Sequence, residues 1–240
     1  MIYLILPSYN EKENLVKIFK KIDNLKISKN FVVILVDDCS TDNTIKLRLN
    51  KNKFKVIYKR HPKNLGLSAA LESGFNIVKD KVKKNDFIIT MDSDNTHPIK
   101  IIPNMVNVLK KNNSDIIIAS RFLPTSKING LSYFRQSLSY AAKYVYSFIF
   151  PYKNLKEYTG NFRVYRSHLI KNLMKNKKFF QNEDFNIVVK ILLYLTKNIK
   201  NLKISEYPLV LNYHHKMGSS KMRITRNIFF TLKLIVLKKF

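Results

Sequence analysis

The chain has 240 residues, 45% of them hydrophobic, enough to fill one α/β domain. Its 44 Lys and Arg outnumber 16 Asp and Glu, for a net charge of +28. A single cysteine, Cys39, excludes an internal disulfide and fits a cytoplasmic setting, and no segment reaches the roughly 20 apolar residues of a membrane span.

The charge attracts polyanions: nucleic acid, anionic lipid headgroups or phosphorylated substrates. The lysines are spread along the whole chain, so the charge singles out none of them, and a compositional drift toward Lys, Asn and Ile explains it equally well. Residues 1–6 are apolar but lack a basic leader and stop at Pro7, so no secretory signal is expected.

Residues 2–6 read as a strand, and Leu15, Ile18, Phe19 and Ile22 then recur at helical spacing. Residues 31–36 form a continuous β-branched run, the pattern of a strand buried on both faces. A third strand is predicted over 54–58 and a helix over 67–78, after Gly66. Residues 87–91 make a fourth strand. Pro98 sits where a helix would begin, continued by Ile101, Met105, Val108 and Leu109, and residues 116–119 make a fifth strand. This alternation predicts an α/β fold with a mostly parallel sheet flanked by helices. Further on, helices are predicted over 132–150, 184–195 and 221–237, with strands at 162–165 and 207–213. The expected division is a catalytic domain over 1–213 and a basic amphipathic segment over 214–240.

Ligands of open α/β sheets bind beyond the carboxyl ends of the strands. Four segments fall there: residues 7–11, 37–42, 60–66 and 92–94. Asp92 and Asp94 stand one residue apart at a strand end, where both carboxylates can reach a hard cation such as Mg²⁺ or Mn²⁺ together with substrate phosphates. Asp-x-Asp also arises as a helix cap. Asp37 and Asp38 fit either hydrogen bonding to a base and ribose or an acidic turn. The five histidines lack zinc-like spacing, and Cys39 reads as a packing residue.

Taken together, Leu6-Pro7-Ser8-Tyr9-Asn10-Glu11-Lys12-Glu13-Asn14, Val36-Asp37-Asp38-Cys39-Ser40-Thr41-Asp42-Asn43-Thr44, Asn64-Leu65-Gly66-Leu67 and Met91-Asp92-Ser93-Asp94 resemble a family 2 glycosyltransferase. Ala119-Ser120-Arg121-Phe122, Arg135, Thr159-Gly160-Asn161-Phe162-Arg163-Val164-Tyr165-Arg166 and Gly218-Ser219-Ser220-Lys221-Met222 are similar to its dolichol-phosphate mannosyltransferase branch. The resemblance implies the nucleotide-sugar-binding, Rossmann-like fold of GT-A type. It also implies transfer with inversion of a hexose, mannose from GDP-mannose first, onto a polyprenyl or dolichyl phosphate at the membrane surface.

By the same resemblance, Pro7, Tyr9 and Glu11 line the base and ribose, and Val36 and Asp38 continue that pocket with Asp37 beside them. Asp92 and Asp94 hold donor and metal with Ser93 and Thr96 alongside, Arg121 and Arg135 receive the acceptor phosphate, and Lys221 closes over the phosphates. The chain departs from the family pattern in three places. Thr96 replaces a frequent Gln, Gly160-Asn161-Phe162 replaces Ser-Gly-Phe, and Met217 beside Lys216 replaces an Arg. These departures bear on donor identity more than on reaction class.

The enzyme is expected to be peripheral, with Leu138, Ala141, Ala142, Val145, Tyr146 and Ile149 as one lipid-facing helix side and the 221–237 helix as another, and a partner subunit is a candidate anchor. Two other readings stay open. One is a UDP-sugar and a glycan hydroxyl acceptor, with Asp184 as base. The other is a non-catalytic nucleic-acid-binding protein, although acids along the predicted edge would repel a phosphate backbone, so nucleic acid is not an expected partner.

Overall fold

The computed structural model describes residues 1–44, 47, 52–176, 179–180 and 186–215. The predicted helix over 221–237, Lys221, and the Glu183-Asp184 pair lie outside the described residues.

The first half follows the predicted alternation: β1 (Ile2–Ser8), α1 (Lys12–Asp23), β2 (Phe31–Asp37), β3 (Lys55–Arg60), α2 (Gly66–Lys79), β4 (Phe87–Thr90), α3 (Ile102–Lys111) and β5 (Ile116–Ser120). β6 (Lys127–Asn129), α4 (Tyr133–Ile149), β7 (Arg163–Arg166), α5 (Ser167–Leu173), α6 (Ile187–Asn198), β8 (Ile204–Pro208) and β9 (Val210–Asn212) complete it. α3 starts later than Pro98 implied. A 3-10 turn at Ile99–Ile101 intervenes, and Pro103 takes the early helical position that tolerates a missing N–H.

Seven strands form one sheet in the order β3-β2-β1-β4-β7-β5-β8. β1, β2, β3 and β4 are mutually parallel, as are β5 and β8, while β7 runs antiparallel to both its neighbours. The period of two sorts the side chains. Ile2, Leu4 and Leu6 join Leu15, Ile18, Met105 and Leu109 of α1 and α3 on one face. Tyr3 and Ile5 join Leu71, Phe75, Leu169, Ile191 and Leu192 of α2, α5 and α6 on the other. Gly74 lets α2 lie flush on β1, since a Cβ there would stand 2.4 Å from Ile5 Cγ2.

The strand predicted over 207–213 is two strands. Pro208 has no N–H to continue the ladder, the Leu209 N–H turns to the Ser120 carbonyl and Ser126 Oγ, and β9 then pairs with β6 in a second small sheet.

The direction of β7 positions the site. Because it runs backwards between β4 and β5, the loop before it arrives at the edge where β4 and β5 end, with Arg163 opposite both Thr90 and Ile118. Residues 157–162 therefore meet the loops that begin at Met91 and Arg121.

Candidate functional site

Three loops leave the carboxyl edge through left-handed residues: Asn10 (φ 53°), Cys39 (φ 65°) and Asn95 (φ 62°). Asparagine tolerates that region; Cys39 does not share the allowance and is held there by its neighbours. The Ser40 N–H bonds Asp37 Oδ1 at 2.9 Å, and Ser40 Oγ accepts the Asn10 N–H at 2.9 Å, which locks the first two loops together.

Asp37 and Asp38 have internal partners. Asp37 is fully buried; its Oδ2 accepts the Tyr58 hydroxyl at 2.6 Å and lies 3.7 Å from Arg60 Nε. Burial, and then the Asp37 carboxylate, push the Tyr58 hydroxyl well above its ordinary pKa. Asp38 accepts the Leu65 and Gly66 N–H groups at 2.9 and 2.7 Å, capping the start of α2, and its Oδ1 lies 2.7 Å from His61 Nδ1. His61 Nε2 is in turn 2.9 Å from Ser73 Oγ. Val36 is fully buried in the core, so its side chain packs the sheet. Pro7, Tyr9 and Glu11 are half-buried along the first loop, where Glu11 Oε2 accepts Asn14 Nδ2 at 2.5 Å.

The acidic pair stands beyond β4. Ser93 is buried and donates to the Pro7 carbonyl at 2.8 Å, which fixes the Asp92–Asp94 turn against the first loop. Asp92 and Asp94 themselves are half-buried. Asp94 Oδ1 accepts the Thr96 N–H and Thr96 Oγ1 at 3.2 and 2.7 Å, while Asp92 Oδ1 accepts Asn161 Nδ2 at 2.9 Å. The Asn212 N–H bonds the Thr96 carbonyl at 3.2 Å, so β9 braces this turn from below.

Among the described residues no cluster of three or more His, Cys, Asp or Glu could hold a metal alone. Two accessible carboxylates one residue apart still fit Mg²⁺ or Mn²⁺, which take one or two carboxylates and complete their shell with phosphate oxygens and water. Asp92 and Asp94 would supply the protein ligands.

Arg121 follows β5 and is 14% exposed. Its Nε and Nη2 fork onto Glu157 at 2.8 and 3.2 Å, and Nη2 also reaches Thr159 Oγ1 at 2.9 Å. Glu157 is fully buried, and its Oε1 further accepts the Thr159 and Gly160 N–H groups at 3.0 and 2.9 Å. Burial alone would raise the Glu157 carboxyl, but Arg121 and these hydrogen bonds outweigh it and hold the group below its ordinary range. Burial likewise opposes the charge on Arg121; Glu157 first, and Asp92 as a smaller contribution, more than restore it. Arg121 Nη1 bonds no described residue, so the arginine keeps the two N–H groups of that nitrogen on a guanidinium held in place.

Arg135 lies in the first turn of α4, half-buried, with no side-chain hydrogen bond or ion pair among the described residues. The structure thus joins Pro7, Ser93, Asp92 and Arg121 into one edge, and Arg135 makes no bond to that group.

Glu157 escaped the motif reading. It is the only carboxylate between Asp115 and Glu183, in a stretch rich in lysine and arginine, and that isolation was the available signal.

The lipid-facing side predicted for α4 needs correction. Tyr146 is 1% exposed, and Ala142 packs against the core. Ala141 and Val145 of the predicted side are exposed, and the exposed side extends from them to Tyr133, Phe134, Tyr140, Tyr144 and Phe148, with Tyr133 and Phe148 about nine-tenths exposed.

The model of the family described as "Glycosyl transferase family 2" matches residues 3–174. A dolichol-phosphate mannosyltransferase of Pyrococcus furiosus is 31% identical over 222 residues, 92% of this chain and 58% of that protein. A dodecaprenyl-phosphate galacturonate synthase of Rhizobium johnstonii is 26% identical over 175 residues, 71% of this chain and 49% of its own length. The chain therefore spans about half the length of these two relatives.

Among solved structures, glucosyl-3-phosphoglycerate synthase of Mycobacterium tuberculosis with Mn²⁺, UDP-glucose and phosphoglyceric acid superposes with a TM-score of 0.65 at 14% identity, over 98% of this chain and 77% of that one. S. aureus TarS (residues 1–349) with UDP-GlcNAc gives a TM-score of 0.63 at 17% identity, over 98% and 65%. Both have the same α/β fold.

Proposed function

Since the chain belongs to glycosyl transferase family 2, we propose that it transfers a hexose, mannose first, from a nucleotide-sugar donor to a polyprenyl phosphate at a membrane surface. The observation that carries this reading is the half-buried Asp92–Asp94 turn, fixed to the first loop by Ser93 and set beside the held guanidinium of Arg121.

The bond broken joins the anomeric carbon to the diphosphate, and the bond formed joins that carbon to an acceptor phosphate oxygen. A divalent ion at Asp92 and Asp94 would neutralise the charge that builds on the departing diphosphate. Tyr9, Glu11 and Pro7 line the base and ribose, while Asp37 and Asp38 hold the second loop that walls the pocket. Thr96 fixes the Asp94 carboxylate. Arg121 and Arg135 orient the acceptor; a phosphate is already anionic at neutral pH, so it needs placement and no base. The forked bond to Glu157 keeps Arg121 from collapsing onto the acids opposite.

No described helix is long and apolar enough to cross a membrane. The aromatic side of α4 supports a peripheral docking. Tyr and Phe rings settle at the headgroup level, a net charge of +28 favours anionic lipid, and Lys143 lies 4.9 Å from the Tyr144 ring. A helix lying there would carry Arg135 to the depth of lipid phosphates.

The test is transfer in anionic vesicles containing polyprenyl phosphate. Label from GDP-mannose is expected in the floated lipid fraction, and label that stays in the aqueous layer with every GDP- and UDP-hexose tried would refute the reading. In the same assay, Tyr144→Ser with Phe148→Ser is expected to lower vesicle partitioning about tenfold or more, from the burial of two rings lost. Its binding of soluble nucleotide should be unchanged. Flotation equal to wild type would remove α4 from the membrane contact.

A further inference from the structure

We infer that Asn161 is a positioning residue for Asp92, held in register by a turn that Glu157 ties together. The inference rests on the reading of Asp92 as a donor- and metal-binding carboxylate, and it assigns a function to a residue at which this chain departs from its family's Ser-Gly-Phe pattern.

Asn161 bridges the end of β4 twice. Its side-chain Nδ2 donates to Asp92 Oδ1 at 2.9 Å, and its backbone carbonyl accepts Thr90 Oγ1 at 2.6 Å. The residue is 6% exposed, and Thr90 is buried. One bond fixes where the backbone of Asn161 sits, and the other uses that fixed point to fix the carboxylate.

The turn has little freedom to slide. Glu157 Oε1 accepts the Thr159 and Gly160 N–H groups, and Oε2 accepts Arg121 Nε at 2.8 Å. A Cβ on Gly160 would lie 3.3 Å from Glu157 Cγ and Cδ, so the glutamate lies flush against the turn it holds. Arg163, fully buried, donates to the carbonyls of Tyr158 and Gly160 at 2.6 and 2.8 Å and closes the far side. The same five-residue turn thus grips Arg121 at one end and Asp92 at the other.

A carboxylate with one oxygen bonded by a buried amide loses rotamer freedom and keeps its second oxygen for a ligand. Partners of this kind behind a metal-binding group typically govern affinity by about 10–100-fold. A glycine at this position would leave Asp92 without that donor.

The experiment is calorimetric titration of GDP (UDP where GDP gives no heat) at a series of Mn²⁺ concentrations, with the full chain. Asn161→Ala is expected to raise the Mn²⁺ concentration for half-maximal nucleotide binding by about 10–100-fold. The backbone bond to Thr90 survives this change, so the melting temperature should stay within a few degrees of wild type. In an Asp92→Ala background, adding Asn161→Ala should change nothing further, because the oxygen that Asn161 bonds is already gone. Asn161→Ser, whose hydroxyl is too short to span the gap, should behave as the alanine variant does and serves if the alanine variant folds poorly.

An unchanged Mn²⁺ midpoint in folded Asn161→Ala, or an equal loss in the Asp92→Ala background, overturns the inference while leaving the functional reading intact. A wild-type protein that binds neither nucleotide at any Mn²⁺ concentration sinks both.

Discussion

Asp94→Ala is expected to lower the proposed sugar transfer by about a thousandfold and to leave the fold in place. The expected loss follows from the proposed role of the turn beyond β4: with one of two carboxylates gone, an ion that would neutralise the leaving diphosphate would have a single protein ligand. Loss of about 4 kcal/mol of transition-state stabilisation corresponds to that factor. The stability cost is expected to be small because Asp94 is half-buried and stands in a turn, where it accepts the Thr96 N–H and Oγ1 two residues on. Removing a local cap of this kind costs about 1 kcal/mol. Steady-state transfer at saturating Mn²⁺, read beside a thermal melt, separates the two effects. A rate within threefold of wild type would contradict the proposed role of the pair.

Glu157→Ala is expected to be the most destabilising single change in the site. The variant leaves Arg121 charged, only 14% exposed and without its carboxylate, and strands the Thr159 and Gly160 N–H groups. Breaking one side of a buried ion pair costs about 3–5 kcal/mol, which lowers the melting temperature of a chain this size by roughly 10 °C.

The pair also imposes a pH dependence. The folded Glu157 carboxyl is held below its ordinary value: burial opposes ionisation, and Arg121 with the turn's hydrogen bonds overcomes it. A depressed carboxyl contributes stability that is fully present above the unfolded pKa of about 4.3 and is lost as pH falls through the folded value. Wild-type stability should therefore fall with acid below about pH 4.3, and Glu157→Gln should flatten that part of the profile. An unaltered acid limb in the glutamine variant would show that the pair contributes nothing to it.

How far the chain can be read without its structure differs from element to element. The β-branched runs at 31–36 and 116–119 mark buried strands because only a sheet covered on both faces accepts them, and both strands are there. The Asp92–Asp94 turn was legible for a similar reason: two acids directly behind an apolar strand are placed by that strand.

The direction of β7 was not legible. Residues 162–165 look the same whichever way they run, yet the antiparallel course alone brings Asn161 to Asp92 and Glu157 to Arg121, across separations in sequence that no local pattern encodes. The helical period found α4 but not its buried side, because apolar residues occur all around it. Tyr146 enters the core by stacking near Tyr158, a partner set by tertiary packing. Asp37 and Asp38 stood open between ligand and turn. Tyr58, His61 and the start of α2 bond both carboxylates, partners that no local pattern encodes.

The proposed placement of a metal and diphosphate at the β4 edge is tested most directly by anomalous diffraction from crystals grown with GDP and Mn²⁺. The expected map has a manganese peak about 2.0–2.3 Å from carboxylate oxygens of Asp92 and Asp94, with the diphosphate completing the shell. Nucleotide bound elsewhere on the chain, or a manganese peak away from both carboxylates, would contradict it.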